Sequence, residues 1–159
     1  MINLPEGKKV VFFCAHPDDD TFSSGAAIRQ MARNGCDVKC IYLTTSPRGV
    51  ARNIPEEEKE SLRKREAEEA CRVLGCSPVF LGFHKKDLDR ALPKVREILK
   101  KEAPSVVFSL PENDAHPTHR KTSRIVLEAL KGSKVKELWT YETWTLIDNP
   151  NFIFSFGED

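Results

Sequence analysis

The chain opens its first long apolar stretch within Lys8–Ala15 (KKVVFFCA), which after its two lysines runs without a polar break into His16-Pro17. A continuous apolar run of this kind predicts a strand buried on both faces, as in a parallel sheet, and not a half-exposed strand. Asp20–Asn34 then has helical spacing. Gly25, Ala26 and Ala27 allow it to pack closely on a sheet, and Gly35 is placed to end it. Val38–Thr44 is a second strand, followed by a loop over Ser46–Pro55. The long charged stretch Glu56–Leu74 predicts a helix stopped at Gly75, with Leu62, Ala70, Val73 and Leu74 as its apolar positions. Val79–Gly82 is a short strand, and Leu88–Lys101 an amphipathic helix carrying Leu92, Val95, Ile98 and Leu99. Ser105–Leu110 is a fourth strand. The polar loop Pro111–Thr118 leads into a helix that runs to about Leu130 and is stopped by Gly132. Val135–Tyr141 is a fifth strand, and the aromatic stretch Asn151–Phe156 is an expected sixth. Strands alternating with helices imply an α/β fold: a doubly wound, mostly parallel, Rossmann-like sheet with helices on both faces.

Composition narrows the function classes. With 159 residues the expectation is one domain, spanning 1–159. Lys plus Arg number 25 against 24 Asp plus Glu, a formal charge of +1, which argues against nucleic-acid binding by phosphate neutralisation. No apolar run approaches the roughly 18–20 residues of a membrane span, and Met1–Lys9 has no signal-peptide pattern. The five cysteines form no Cys-x-x-Cys pair, and Cys14, Cys40 and Cys71 sit among apolar residues as small buried hydrophobes. A reduced, cytoplasmic setting is expected for them.

In sheets of this class ligands bind at the carboxyl ends of the strands. The loops after strands one and four hold three of the four histidines: His16, His116 and His119. Ala15-His16-Pro17-Asp18-Asp19-Asp20 follows the first strand, and His116-Pro117-Thr118-His119 the fourth. Imidazole and carboxylate donors without thiolate suit a catalytic divalent metal with an open coordination position. The two histidines three apart at a helix start project from one side. The aspartates also have a purely structural reading, as a cap and a complement to the helix dipole, and Asp20 sits where an N-cap belongs. Glycine-rich dinucleotide and phosphate loops, Gly-x-Ser-x-Gly and His-Glu-x-x-His are all absent from the sequence. His84 reads as a surface-loop residue, and Trp139 and Trp144 as core or interface. Tyr141 and Glu142 close the fifth strand within reach of the crevice.

These two motifs resemble those of the LmbE/PIG-L-type zinc-dependent N-acetylglucosaminyl deacetylases, whose hallmarks are Ala-His-Pro-Asp-Asp-Glu and His-Pro-Asp-His. The likeness extends over Phe22-Ser23-Ser24-Gly25 and Arg63-x-x-Glu66, from about Lys9 to Tyr141. The resemblance implies that His16, Asp19 and His119 hold Zn²⁺ or another divalent transition metal. It also implies Asp18 as general base, and His116 as a group that stabilises the oxyanion or protonates the leaving amine. Asp20 stands where the family usually has Glu, and Thr118 where it has Asp; Asp114 is close enough in sequence to replace the lost carboxylate as a partner for His116. The implied reaction is hydrolysis of an N-acetyl group on an N-acetylglucosamine-type amino sugar. Arg48 and Asn113 are the expected substrate-binding residues, and Arg52 is a further one. The alternatives are an amidase acting on another N-acyl or thiol–sugar conjugate, and a non-catalytic sugar- or metal-binding relative. Family members are usually longer, so the chain is expected to be either a minimal member or one shortened at its C-terminus, with a homo-oligomer completing the site.

Overall fold

The structure, a computed structural model, describes residues 3–51 and 53–156. Five strands, β1 Lys9–Cys14, β2 Asp37–Thr44, β3 Ser77–Phe83, β4 Val106–Ser109 and β5 Glu137–Thr140, form one sheet in the order β3-β2-β1-β4-β5. All four pairings are parallel, as the unbroken apolar run at β1 predicts. The helices are α1 Asp19–Arg33, α2 Glu56–Leu74, α3 Leu92–Glu102 and α4 Pro117–Leu130.

β1 is the central strand, with Phe12 level with Cys40 of β2 and Phe108 of β4. Its residues alternate between two cores. Val10, Phe12 and Cys14 pack with Ile28 and Met31 of α1 and Ala67 and Cys71 of α2. Val11 and Phe13 pack with Val95 and Ile98 of α3 and Val126 and Ala129 of α4. Because both faces are covered, neither set of alternate positions tolerates a polar side chain. Phe12 stacks on Phe108 with ring centroids 4.2 Å apart.

Three expectations shift. On α2 the buried residues are Ala67 and Cys71, with Leu74 partly buried, whereas Val73 is exposed. Arg63 lies on this same inward stripe, at i, i+4 and i+8 with Ala67 and Cys71. The residues 151–156 form no strand; Phe152 packs edge-on to Trp139, centroids 5.2 Å apart, in place of pairing with the edge strand β5. Finally, α1 starts at Asp19 with Asp18 as its N-cap residue, so Asp20 lies within the first turn. Among the described residues no helix is long and apolar enough to cross a membrane.

β1 and β4 are neighbours, and the chain leaves them toward opposite faces of the sheet, β1 into α1 and β4 into α4. This is the topological switch point of a doubly wound sheet, where the two following loops part and leave a crevice.

Candidate active site and metal centre

The loop after β1 folds into a tight turn. The N–H groups of Asp18 and Asp19 both donate to the His16 carbonyl, at 2.9 and 3.4 Å. The His16 N–H in turn donates to Asp19 Oδ2 at 2.8 Å, which ties the metal-ligand candidates of the first motif together. On the other side of the switch point, His116 holds an extended conformation and Pro117 begins α4. This is the conformation a residue preceding proline prefers, and proline suits a first helical turn. One turn's reach further, His119 enters the crevice fully buried. Asp114 secures the loop by accepting the His116 N–H at 2.7 Å. Arg120 Nη1 donates to the carbonyls of Asp114 and Ala115.

These two loops bring three donor atoms together. His16 Nδ1 is 3.1 Å from His119 Nε2, His119 Nε2 is 3.2 Å from Asp19 Oδ1, and His16 Nδ1 is 3.5 Å from Asp19 Oδ1. A tetrahedral ion bound at 2.0–2.2 Å has ligand atoms about 3.4 Å apart, so the triangle has the size of one tetrahedron face. Nitrogen and carboxylate donors are also the set that leaves a catalytic zinc one open position. The residues present therefore fit a divalent transition metal. On the far side of His119, Nδ1 stands 3.2 Å from Asp114 Oδ1, off the line of an aligned hydrogen bond but close enough to favour the ring's orientation.

Electrostatics follow from this packing. Burial works against the Asp19 charge, but hydrogen bonds from His119 and His16 outweigh it and hold the carboxyl well below the usual carboxylate range. Burial likewise pulls His119 down, and Asp19 and Asp114 more than reverse this, raising it. His116 is lowered by burial and by the charges of His119 and His16. Its ring lies edge-on to His16 with centroids 4.9 Å apart, and its buried Nδ1 has no hydrogen-bond partner among the described residues. Asp114 does not take the orienting role toward the His116 ring expected from the loss of the carboxylate at Thr118. It accepts the His116 main-chain N–H and faces the His119 ring.

The three consecutive aspartates have three environments. Asp18 makes no side-chain cap bond to α1; its Oδ2 meets Arg63 Nη2 at 2.8 Å. Asp19 faces the histidines. Asp20 is buried behind them and accepts the Tyr42 hydroxyl at 3.0 Å, while its Oδ1 has no partner among the described residues. Burial, with the neighbouring Cys71, pushes Asp20 up to about 6 against the Tyr42 hydrogen bond.

Arg48 lies exposed in the 3-10 turn Pro47–Gly49. That turn passes over Arg63, and a Cβ on Gly49 would stand 3.2 Å from Arg63 Cζ. Asn113 is exposed and lines a crevice with Ser109, Leu138 and Ile147. Arg52 lies outside the described residues. His84 is exposed, as expected. Tyr141 is buried away from the crevice, its hydroxyl donating to the Phe13 carbonyl at 2.9 Å. Glu142 accepts the Ile147 N–H.

Two residues join the site without a role expected for them. Arg63 has a signal in hindsight: an arginine in step with the buried Ala67 and Cys71 must point inward. Trp144 had none. Trp139 is sandwiched in the aromatic core as expected, but Trp144 is 70% exposed with its ring 5.8 Å from that of His116. It is held there because its N–H lies 3.4 Å from Asp114 Oδ2 and Thr145 Oγ1 accepts the Ala115 N–H at 2.7 Å.

Comparison with known proteins places this arrangement. Residues 11–130 match the family described as PIG-L: GlcNAc-PI de-N-acetylase. A probable N-acetyl-alpha-D-glucosaminyl L-malate deacetylase 2 of Bacillus cereus is 30% identical over 134 residues, covering 77% of this chain and 61% of its own length. A mycothiol S-conjugate amidase of Streptomyces coelicolor is 26% identical over 147 residues, covering 75% and 50%. Among solved structures, an N,N'-diacetylchitobiose deacetylase from Pyrococcus horikoshii superposes with a TM-score of 0.72 at 28% identity, covering 78% of this chain and 49% of that one. The chain thus spans about half to three-fifths of the length of these relatives. With the family match running from β1 to the end of α4, through both histidine loops, the chain belongs to the PIG-L family of de-N-acetylases.

Proposed function

We propose that the chain hydrolyses the acetamide of an N-acetylglucosamine-type amino sugar or its conjugate, with Zn²⁺ held by His16, Asp19 and His119. The observation that carries this reading is the donor triangle of 3.1, 3.2 and 3.5 Å, with a carboxylate oxygen of Asp18 within 4.8 Å of the His16 and Asp19 donors and Oδ2 paired with Arg63. When bound there, the metal supplies Lewis acidity, polarising the amide carbonyl and lowering the pKa of water from 15.7 to roughly 7.

The protein's own groups do the rest. Arg63 holds Asp18 at the crevice edge, where its free oxygen takes the proton of the attacking water. His116, kept neutral at pH 7 by its lowered pKa, donates an N–H to the developing oxyanion. Asp18, once protonated, returns the proton to the departing nitrogen, completing hydrolysis to acetate and a free amine. Trp144 offers an aromatic face beside His116 on which the apolar face of a sugar ring can lie. Arg48 and Asn113 are retained as outer contacts for the sugar or its aglycone.

The test is acetate release from a panel of N-acetylglucosamine conjugates by zinc-loaded protein. Asp18→Asn is expected to lose at least about a hundredfold in kcat while binding one metal as before, since positioned general bases contribute 10²–10⁴. Full activity in Asp18→Asn, or stoichiometric metal without acetate from any conjugate, overturns the reading. Five free cysteines fit a cytoplasmic setting. Exposed Phe22, Ile153 and Phe156, which line one groove, are where the homo-oligomer would form; sedimentation of the full chain reads it.

A further inference from the structure

Behind the histidine crevice, a second cluster of metal-ligating groups plays no part in the reaction. Cys40 on β2, Cys71 in the last turn of α2 and Cys76 just before β3 bring their sulfurs within 4.8 Å of one another. The Cys40 and Cys76 sulfurs are 3.7 Å apart. We propose that Cys40, Cys71 and Cys76 form a second metal site, a three-thiolate centre for a divalent d¹⁰ cation of the Zn²⁺ class, distinct from the His/Asp centre.

The backbone builds this cluster. Gly75 takes a left-handed conformation at the end of α2, and the N–H groups of Gly75 and Cys76 both donate to the Cys71 carbonyl, at 2.9 and 3.0 Å. This turn sets Cys76 beside Cys71, and pairing of β3 with β2 sets both against Cys40. The other two cysteines are used differently. Cys36 Sγ donates to the Pro5 carbonyl, and Cys14 Sγ lies buried 3.5 Å from the Tyr141 hydroxyl oxygen.

Spacing and chemistry favour a metal. Thiolates bound to one tetrahedral ion at 2.3 Å lie about 3.8 Å apart, close to the Cys40–Cys76 separation. Those two residues are poorly placed for a disulfide. Cys40 pairs with Pro78, two residues beyond Cys76, and strand spacings then put their Cα atoms about 8 Å apart, past the roughly 7 Å limit. Cys40 and Cys71 are fully buried, while the half-buried Cys76 provides the way in. The Tyr42 hydroxyl stands 3.3 Å from the Cys71 sulfur, so a polar group already faces the cluster. A divalent ion leaves less net charge in this buried place than a monovalent one would, and three sulfurs leave its fourth position to water.

The test is titration of the reduced, metal-free full chain with Cd²⁺, a thiophilic stand-in for Zn²⁺. Wild type is expected to take up two Cd²⁺, one of which develops an ultraviolet thiolate-to-cadmium charge-transfer band that Zn²⁺ competes away. His16→Ala should lose one bound ion and keep the band. Cys76→Ser, a change at the half-buried sulfur, should weaken the ion behind the band at least a hundredfold. Alkylation of the folded protein mapped by mass spectrometry gives a second readout, with Cd²⁺ protecting the half-buried Cys76. No band at saturating Cd²⁺, a band unchanged in Cys76→Ser, or no protection of Cys76 overturns the proposal. So does a Cys71–Cys76 disulfide in freshly isolated protein, seen as three free thiols in place of five after denaturation.

Discussion

Asp18, Asp19 and Asp20 are chemically identical, and the fold gives each a different neighbour: a guanidinium, two imidazoles and a tyrosine hydroxyl. Asp20 shows the thermodynamic consequence most clearly. An acid whose pKa is raised on folding stabilises the native state only below its ordinary pKa, and that contribution is lost as pH rises through the folded value of about 6. In the metal-free protein Asp20→Asn is therefore expected to be more stable than wild type above pH 6. The gain is of order 3 kcal/mol and should vanish by about pH 4; urea unfolding at a series of pH values measures it. A gain that is the same at pH 4 and pH 8 would show that the buried charge is not its source. Trp144 tests recognition at the same scale. Trp144→Ala should raise KM about fivefold to tenfold with kcat nearly unchanged, as loss of a stacked sugar contact would. A selective fall in kcat would assign the ring to positioning His116.

At the scale of elements, the helix starts and ends do the positioning. The turn after β1 aims His16 and Asp19 through hydrogen bonds between their own backbone and side chains, and the proline start of α4 does the same for His119. The end of α2 depends on Gly75 at φ +80°, where a Cβ would come 3.2 Å from Ala32 of α1. Gly75→Ala combines left-handed strain with this close approach. It is expected to cost about 1–3 kcal/mol, seen as a lower urea midpoint at unchanged slope. Element boundaries were readable in the sequence because glycine, proline and apolar spacing mark them. The inward stripe of α2 was readable only in part: Cys71 reads as buried, but Val73 is equally apolar and only the sheet decides that it is left exposed. The residues 151–156 alternate like a strand, yet Phe152 packs against Trp139, Ile153 and Phe156 stay exposed, and no strand forms.

At the scale of the molecule, metal binding and stability are linked. His119 must be deprotonated to ligate, and Asp19 and Asp114 raise its pKa. Metal uptake should therefore release a proton, and affinity should fall about tenfold per pH unit below that raised pKa. With Zn²⁺ at a hundred times its Kd, the native state gains about 2.7 kcal/mol, so the zinc-induced rise in Tm should be large at pH 8 and small at pH 5. The paired readout is His119→Ala, in which the increment from this centre disappears at both pH values. An increment in wild type that does not change with pH would place the metal elsewhere.

The sequence by itself determined the parallel α/β architecture, because an unbroken apolar strand between helices has one stable way to be covered on both sides. It also marked His16, Asp18, Asp19, His116 and His119, because histidines and carboxylates concentrated in two loops are readable as letters. Which donors meet was decided only in three dimensions. The order β3-β2-β1-β4-β5 makes β1 and β4 neighbours, and side chains a hundred residues apart in the chain come within 3.1 Å. The same holds for Arg63 on Asp18, Trp144 over His116 and the sulfur of Cys40 against those of Cys71 and Cys76. Each is a contact between distant segments, whose partner is set by strand order and helix rotation.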